Sequence, residues 1–213
     1  KVSKIGYGLF SYALQPAKCT SASFMGAILE EYLVHLSADS CISGLPTVFT
    51  QPDELQLEKA NLLTNLTTLG IEWEISFEFK PENYDNSDYT SILHLTIGED
   101  MTQIGDRIPA IFYHANHGLH VTYAIGDDPN HYWDMSELPL NEWSKIIMSQ
   151  AKSGSVVNFN IEVAGAAPVS VKNPTAQIFS DVRVYAADPW WDPQAGSIRG
   201  LTIKTQCTWG SQF

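Results

Sequence analysis

The pattern of apolar and polar residues changes near residue 54 of this 213-residue chain. Upstream, Ser21–Leu36 (SASFMGAILEEYLVHL) repeats apolar side chains at helical spacing and begins with a serine suited to capping a helix. Downstream, Gly70–Pro81 (GIEWEISFEFKP) alternates apolar with polar residues, as a half-buried antiparallel strand does. The sequence therefore predicts a helical segment over 1–50 and a β-rich domain over 51–213.

Short runs rich in β-branched and aromatic residues continue to the end of the chain, separated by Gly, Asn, Asp and Pro turn signals. Many short strands with regular turns are typical of a sandwich, so we expect an all-β fold of two antiparallel sheets. The further predicted strands are Ser91–Ile97, Ile108–His114, Leu119–Ile125, Trp143–Gln150, Val156–Val163, Val169–Val171, Val182–Ala186 and Ile198–Lys204.

The stretch Arg107–Trp133 (RIPAIFYHANHGLHVTYAIGDDPNHYW) holds four of the six histidines. Asn116–Gly118 fits a three-residue hairpin loop, which would pair His114 with His120 on a mixed, outward sheet face that also carries Phe112. Two adjacent imidazoles can share a metal ion or titrate near neutral pH, but they also occur on ordinary polar sheet faces. We therefore expect an outward sheet face that carries histidine and aromatic side chains and can bind a ligand, rather than a catalytic centre.

Aromatic residues outside the strand patterns are a second candidate for ligand binding. Exposed aromatic rings flanked by acids can stack on the apolar face of a sugar, form protein interfaces, or simply cap the sandwich. Trp73 and Trp143, in contrast, lie in strand patterns and are expected in the core. The candidate loop aromatics are Tyr132, Trp133, Trp190 and Trp191.

Acidic residues in the predicted loops raise the prospect of a calcium ion. Gly126–Asn130 and the region around Asp106 offer hard oxygen ligands, which calcium prefers, although Asp and Asn also favour turns for conformational reasons. Asp106 and Asp127 are the candidate metal ligands.

Net charge and cysteine content narrow the class of protein. A net charge of −12 repels phosphate backbones, so no nucleic-acid partner is expected. No apolar run reaches the roughly 20 residues of a membrane span. Cys19 and Cys41 bracket the helical segment and are candidates for a disulfide, which would leave Cys207 buried or paired with another chain. With the glycosylation sequon at Asn65, this favours a secreted, extracellular protein.

Four stretches resemble the laminin-G-like, or concanavalin-A-like, jelly-roll family. They are LEKANLLTNLTTLGIEWEISFEFKP, LNEWSKIIMSQ, VVNFNIEVAG and FSDVRVYAADPWWDPQAGSIRGLTIKT. The resemblance spans residues of about 54–205 and implies a jelly-roll sandwich. Members of the family bind glycans, protein partners or calcium, or cleave polysaccharides, so the fold leaves the function open.

The members that hydrolyse β-glucans carry Glu-x-Asp-x-x-Glu or Glu-x-Asp-x-Glu, and the nearest match here is Glu72–Glu78, which lacks the central Asp and offers Glu72 and Glu74 as the possible pair. A retaining glycosidase needs two carboxylates about 5 Å apart across the scissile bond, whereas the solvent-facing side of a strand needs nothing more than polarity. The sequence also lacks Gly-x-Ser-x-Gly, Cys-x-x-Cys and Walker patterns. We therefore expect a protein that is not an enzyme.

These observations favour an extracellular binding module that recognises a glycan or a protein partner through loops and one sheet face. The alternative is a subunit of a secreted oligomeric assembly that carries an apolar small molecule, such as a pigment or lipid. A glycoside hydrolase is a third hypothesis. The candidate ligand-binding residues are His114, His120, Phe112, Tyr132, Trp133, Trp190 and Trp191.

Overall fold

The computed structural model describes residues 47–84, 88–114 and 118–205. The predicted helical segment, the Cys19–Cys41 disulfide and Cys207 lie outside the described residues and stay predictions. Within the described residues, no helix is long and apolar enough to span a membrane.

The described residues form fourteen strands and no helix. Their bounds are β1 Thr47–Gln51, β2 Leu55–Gln56, β3 Leu62–Leu69, β4 Trp73–Pro81, β5 Thr90–Thr96, β6 Ala110–His114, β7 Gly118–Ile125, β8 Asp128–Asp134, β9 Ser144–Ser153, β10 Val156–Val163, β11 Val169–Lys172, β12 Phe179–Ala186, β13 Asp192–Pro193 and β14 Gly196–Thr205.

The strands form two sheets that pack face to face. Sheet A has the order β1-β14-β4-β9-β10-β11, with β2 beside β14, and sheet B has the order β3-β12-β5-β6-β7-β8, with β13 beside β5. Pairing is antiparallel throughout, except for the short parallel contact of β13 with β5. The predicted all-β, two-sheet antiparallel sandwich is confirmed.

The core between the sheets follows from strand alternation. The predicted apolar side of β4 is confirmed, since Trp73, Ile75, Phe77 and Phe79 are each at most 2% exposed. Burying one such side chain stabilises the fold by about 1.5–3 kcal/mol. Tyr123 of sheet B ties the two layers together, because its ring lies 4.6 Å from that of Phe159 and 5.6 Å from that of Trp73. The remaining core residues come from both sheets and from the segments between the strands.

The outer face of sheet A is a ladder of ion pairs. Glu78 pairs with Arg199 at 2.8 Å, and Glu74 pairs with Lys204 at 3.0 Å, all with partly exposed side chains. Trp143 was expected in the core, but this prediction is wrong. It lies one position before the buried Ser144 of β9, so its ring points outward, where Arg199 stacks 4.2 Å from its centroid.

Sheet B is different, because its central strands are buried on both faces. Every residue of β5 is buried, as is every residue of β7 except the last. A strand buried on both sides needs a second covering layer. Here that layer consists of two loops, 97–109 between β5 and β6 and 187–191 between β12 and β13, together with Tyr89. The candidate site lies between these loops and the sheet.

Candidate ligand-binding pocket

The hairpin of β6 and β7 presents the predicted histidine face in a different register. Phe112 pairs with His120 and His114 with Gly118, so the expected pairing of His114 with His120 is wrong. Gly118, expected in the loop, is the first residue of β7, and a Cβ there would lie 2.5 Å from the Met135 carbonyl oxygen, so only glycine fits. Its φ of +72° is the left-handed conformation expected of it. The altered register keeps the predicted residues on the same face.

That face is not open to solvent. Phe112 is 1% exposed and His120 is 6% exposed, whereas we expected an outward, mixed face. Tyr89 covers both, with its ring 6.5 Å from Phe112 and 4.8 Å from His120. Trp191 closes the other side, 6.0 Å from Phe112. The loops therefore turn a sheet face into the floor of a pocket.

The pocket has a volume of about 270 Å³. Four of its lining residues were predicted to bind ligand, and four were missed by sequence reasoning. The predicted ones are Phe112, His120, Tyr132 and Trp191, and the missed ones are Tyr89, Met101, Arg107 and Asn130.

Aromatic rings form most of the pocket wall. Tyr132 stacks on His120 with centroids 5.0 Å apart and an interplanar angle of 29°, and it remains 56% exposed. Tyr89 and Trp191 meet almost perpendicularly at 6.0 Å. Such edge-to-face contacts are favourable and hold rings in fixed orientations. Tyr132, stacked on His120, is thus a solvent-accessible aromatic platform at the mouth.

Arg107 fixes the polar side of the pocket. Its guanidinium donates to the Asp100 carboxylate at 2.9 Å and to the Asn130 side-chain oxygen at 2.7 Å, and it lies 4.6 Å from the centroid of Phe112. The Trp191 indole N–H donates to the same Asp100 carboxylate at 3.0 Å. One carboxylate therefore joins the arginine to the tryptophan and fixes the positions of both loops.

A second carboxylate, that of Asp134, contacts the pocket residue His120. The Nδ1 of His120 lies 2.7 Å from an oxygen of Asp134, which orients the imidazole beneath Tyr132. Burial raises the pKa of the nearby Tyr89 hydroxyl, and the charge of Asp134 raises it further. Tyr89 therefore remains a neutral hydroxyl near neutral pH.

A fully buried His–Asp pair lies behind the pocket. His94 Nδ1 lies 2.8 Å from Asp188 and its Nε2 lies 2.6 Å from the carbonyl oxygen of Asp106, and neither His94 nor Asp188 is exposed. Each ring nitrogen therefore faces an oxygen of one of the two loops. The other Asp188 oxygen accepts the backbone N–H groups of Trp190 and Trp191. His94 thus joins the two loops that form the pocket.

This cluster also contains a serine, but its geometry is not that of a nucleophile. Ser91 donates its hydroxyl to Asp188 at 2.9 Å, and both ring nitrogens of His94 are taken by Asp188 and Asp106. A nucleophilic serine requires its hydroxyl to face the base and the pocket. The cluster therefore supports the loops structurally.

Asp106, a predicted calcium ligand, organises the 97–109 loop. Its oxygens accept N–H groups of Glu99 at 2.9 Å and of Thr102 and Gln103 at 2.7 Å. Burial by itself would raise the pKa of Asp106, but these hydrogen bonds outweigh it and lower the pKa below its usual value. Asp127 is exposed in the β7–β8 turn. No group of three or more potential metal-ligating side chains occurs among the described residues, and calcium binding stays a prediction.

Three other predicted residues lie outside the pocket. Trp133 belongs to β8 rather than to a loop, and its ring packs on Phe159 in the core because adjacent strand residues point to opposite faces. Trp190 packs on His94 at 5.3 Å, behind the pocket wall. His114 lies at the side of the pocket, with its ring centroid 4.6 Å from that of Tyr89.

The carboxylates considered for glycoside hydrolysis are on the other sheet. Glu74 pairs with Lys204, and Glu72 accepts the backbone N–H of Lys152 at 3.0 Å. Neither lines the pocket, so the structure does not bring this pair together with the aromatic residues.

The missed residues left only a weak sequence signal. Arg107 immediately precedes the apolar run Ile108–Tyr113, and a cation next to a buried strand needs a carboxylate partner. That partner, Asp100, lies in an irregular loop whose path the sequence pattern does not predict.

No protein-family model matches the sequence, and no curated protein matches it. Solved structures with a similar fold include the CBM40 of a Ruminococcus gnavus IT-sialidase bound to α2,3-sialyllactose, at 11% identity and a TM-score of 0.48, covering 72% of this chain and 91% of that one. Chicken galectin 2 is similar at 8% identity and a TM-score of 0.37, covering 66% and 99%.

A Trypanosoma rangeli sialidase is similar at 10% identity and a TM-score of 0.43 over 63% of this chain, which spans only 21% of that protein. At these values the likenesses carry no argument about function. The resemblance to the laminin-G-like family stays a prediction, and the chain is similar to these sandwich structures only in outline.

Proposed function

We propose that this domain is a carbohydrate-binding module without catalytic activity, and that its site is the pocket on the outer face of sheet B. The observation that carries the proposal is the combination of an exposed aromatic platform with fixed polar side chains. Tyr132 is 56% exposed and stacked on His120, and Asn130 and Arg107 lie in the same pocket.

This combination suits the chemistry of a sugar ring. One face of a pyranose is apolar and stacks on an aromatic ring, while its hydroxyls need oriented polar partners at the edge. The polar side chains are held by hydrogen bonds before any ligand arrives, because Arg107 contacts both Asn130 and Asp100. Such pre-organisation lowers the ordering cost of binding.

The test is a glycan screen followed by titration calorimetry with the best ligand. Tyr132→Ala is expected to weaken binding by at least about thirtyfold, the loss of about 2 kcal/mol that defines an interface hot spot. Ile178→Ala is the matched control, because Ile178 is 54% exposed and does not line the pocket. Equal affinity of both variants and the unchanged protein would refute this site.

A second candidate is the carriage of an apolar small molecule, as a monomer or an oligomeric subunit. It is favoured by exposed apolar side chains on the loop that borders the pocket, since Ile97, Met101 and Ile104 are each 39–44% exposed. Native mass spectrometry of the purified protein separates the candidates. Retained small-molecule mass or a defined oligomer favours carriage, whereas an empty monomer that binds glycans favours the lectin-like function.

We also propose that the domain acts outside the cell and carries a glycan at Asn65. The side chain of Asn65 is exposed in β3, an edge strand of sheet B, so a glycosyltransferase can reach it. A mass decrease on treatment of the secreted protein with peptide N-glycosidase would be the expected result, and Asn65→Gln should abolish it.

We also propose that the loops that contain Asp106 and Asp127 bind calcium. If Asp127 or Asp106 holds an ion, the native mass should fall by about 40 Da per ion when a chelator is added. An unchanged mass would exclude calcium.

A further inference from the structure

The charge of the pocket bears on which sugars it can hold. Arg107 is the one residue with a permanent positive charge among the described residues that line it. Its guanidinium donates to the Asp100 carboxylate, the Asp100 carbonyl oxygen and the Asn130 side-chain oxygen, at 2.9, 3.0 and 2.7 Å. The side chain is only 5% exposed. The cation is therefore committed to protein acceptors.

Carboxylates dominate the remaining charge near the pocket. Asp100 is held by Arg107 and by the Trp191 indole, and Asp134 lies 2.7 Å from His120, which itself lines the pocket. Both carboxylates contact residues that line the pocket, so negative charge lies directly behind its wall. An anionic ligand would be repelled here and would find no unpaired arginine to bind it.

We infer that the pocket takes a single uncharged sugar ring in preference to an acidic one, an inference that rests on the proposed carbohydrate-binding function. The volume of about 270 Å³ lies just below the range of roughly 300–1,000 Å³ for drug-sized ligands, which suits one ring rather than several. An acidic sugar would have to displace Asp100 from Arg107 or remain unpaired beside carboxylates. Both cost free energy, because a charge removed from water needs a compensating partner.

The experiment compares matched glycans on a printed array and in titration calorimetry. Each neutral glycan, such as lactose, is paired with its sialylated or uronic-acid counterpart on the same backbone. The neutral member should bind about tenfold or more tightly, as expected when the acidic member leaves a charge unsatisfied. Tighter binding of the acidic members would overturn the inference while leaving the proposed function in place. Binding of neither class would reject the proposed function and the inference with it.

A substitution of Asp100, which contacts the pocket residues Arg107 and Trp191, tests the cause of this preference. Asp100→Asn keeps the shape and an acceptor for Trp191, but it removes the charge that neutralises Arg107. The variant should bind acidic glycans more tightly and lose at least half of the wild-type discrimination. Asp192→Asn is the matched control, because Asp192 is an exposed carboxylate paired with Lys59 and does not line the pocket.

The control should keep the wild-type preference. An equal effect of both substitutions would show that the preference comes from the overall charge of the protein, and would overturn the role given to Arg107. If Asp100→Asn fails to fold, as judged by its circular dichroism spectrum, the matched-glycan comparison on the unchanged protein still decides the inference.

Discussion

The outer faces of the two sheets have the same origin in strand alternation but different surroundings. On sheet A, outward residues such as Glu74 and Glu78 remain partly exposed and pair with Lys204 and Arg199 across the sheet. On sheet B, the equivalent positions are buried, and Phe112 is only 1% exposed. The difference is produced by the loops, since those of the described residues fold over sheet B and not over the outer face of sheet A.

The comparison shows why a ligand pocket forms on the outer face of sheet B. Charged groups in water gain little from pairing, so a ladder of surface ion pairs adds solubility more than structure. Polar groups beneath a loop must all be satisfied, and satisfying them fixes their positions. His94, Asp188 and Asp106 do this for sheet B, and the result is a rigid aromatic wall.

The largest expected effect is on the buried pair behind the pocket. Asp188→Ala leaves His94 and the N–H groups of Trp190 and Trp191 without their acceptor. We expect a loss of about 3–5 kcal/mol in the free energy of unfolding, as is typical when one partner of a buried pair is removed. Urea denaturation followed by tryptophan fluorescence measures it.

The control for this prediction is Asp192→Ala, which removes a carboxylate with a side chain 80% exposed. Its effect should stay below about 1 kcal/mol, the usual value of a surface ion pair. If both variants lose the same stability, the contrast between a buried and a solvated carboxylate does not hold in this molecule.

An intermediate effect is expected when the arginine of the pocket is replaced. Arg107→Met keeps much of the apolar stem but removes the donors to Asp100 and Asn130. We expect a loss of about 1.5–3 kcal/mol in stability, the value of hydrogen bonds to charged groups. Thermal unfolding and glycan titration should both change. Unaltered stability with weakened binding would mean that Arg107 acts on the ligand directly.

Acid should destabilise the covered face through the buried carboxylate of Asp188. Burial by itself would raise the pKa of Asp188, but hydrogen bonds from His94 and the Trp191 N–H lower it below its usual value of 3.8. The stability that this carboxylate contributes is therefore complete above about pH 5 and is lost as the pH falls through the lowered pKa. Asp188→Asn should show a shallower decline in unfolding free energy below pH 4 than the unchanged protein. If the unfolding free energies of the variant and the unchanged protein fell in parallel with pH, Asp188 would not be the carboxylate responsible.

The smallest effect is expected on the outer face of sheet A. Glu74→Gln breaks the ion pair with Lys204, whose side chain is 35% exposed, and should change stability by less than about 1 kcal/mol. Glycan binding should be unaffected, because Glu74 does not line the pocket. The same variant tests glycoside hydrolysis: a hydrolytic activity present in the unchanged protein and lost in Glu74→Gln would argue for an enzyme.

Strand alternation predicted the sandwich correctly where one face of a strand is open to water. The 70–81 stretch shows this best, since its apolar positions from Trp73 to Phe79 are all buried. The same rule placed Trp143 in the core, because position 143 was taken as part of the apolar side of β9. The register of the strand, fixed by buried Ser144 and Ile146, puts it outside instead.

The candidate site was predicted in part. The aromatic and histidine composition of the β6–β7 hairpin indicated Phe112 and His120, and the acid-flanked tryptophan pair indicated Trp191. Nothing in the sequence indicated that these residues meet Arg107 and Tyr89, which come from separate loops. Trp133 shows the limit most clearly: it is adjacent to Tyr132 in sequence, yet the Trp133 ring packs against the core and the Tyr132 ring lies at the pocket mouth.

The sequence by itself determined the all-β class, the faces of the regularly alternating strands and the residue types available for binding. These properties depend on local periodicity and on the tendency of apolar side chains to be buried, and both follow from the order of residues in the chain. Only the tertiary structure decided that the outer face of sheet B is covered, that Asp100 neutralises Arg107 and that His94 joins two loops. Those contacts link positions far apart in the chain through irregular loops, whose paths are set by the satisfaction of buried hydrogen bonds rather than by any repeating pattern.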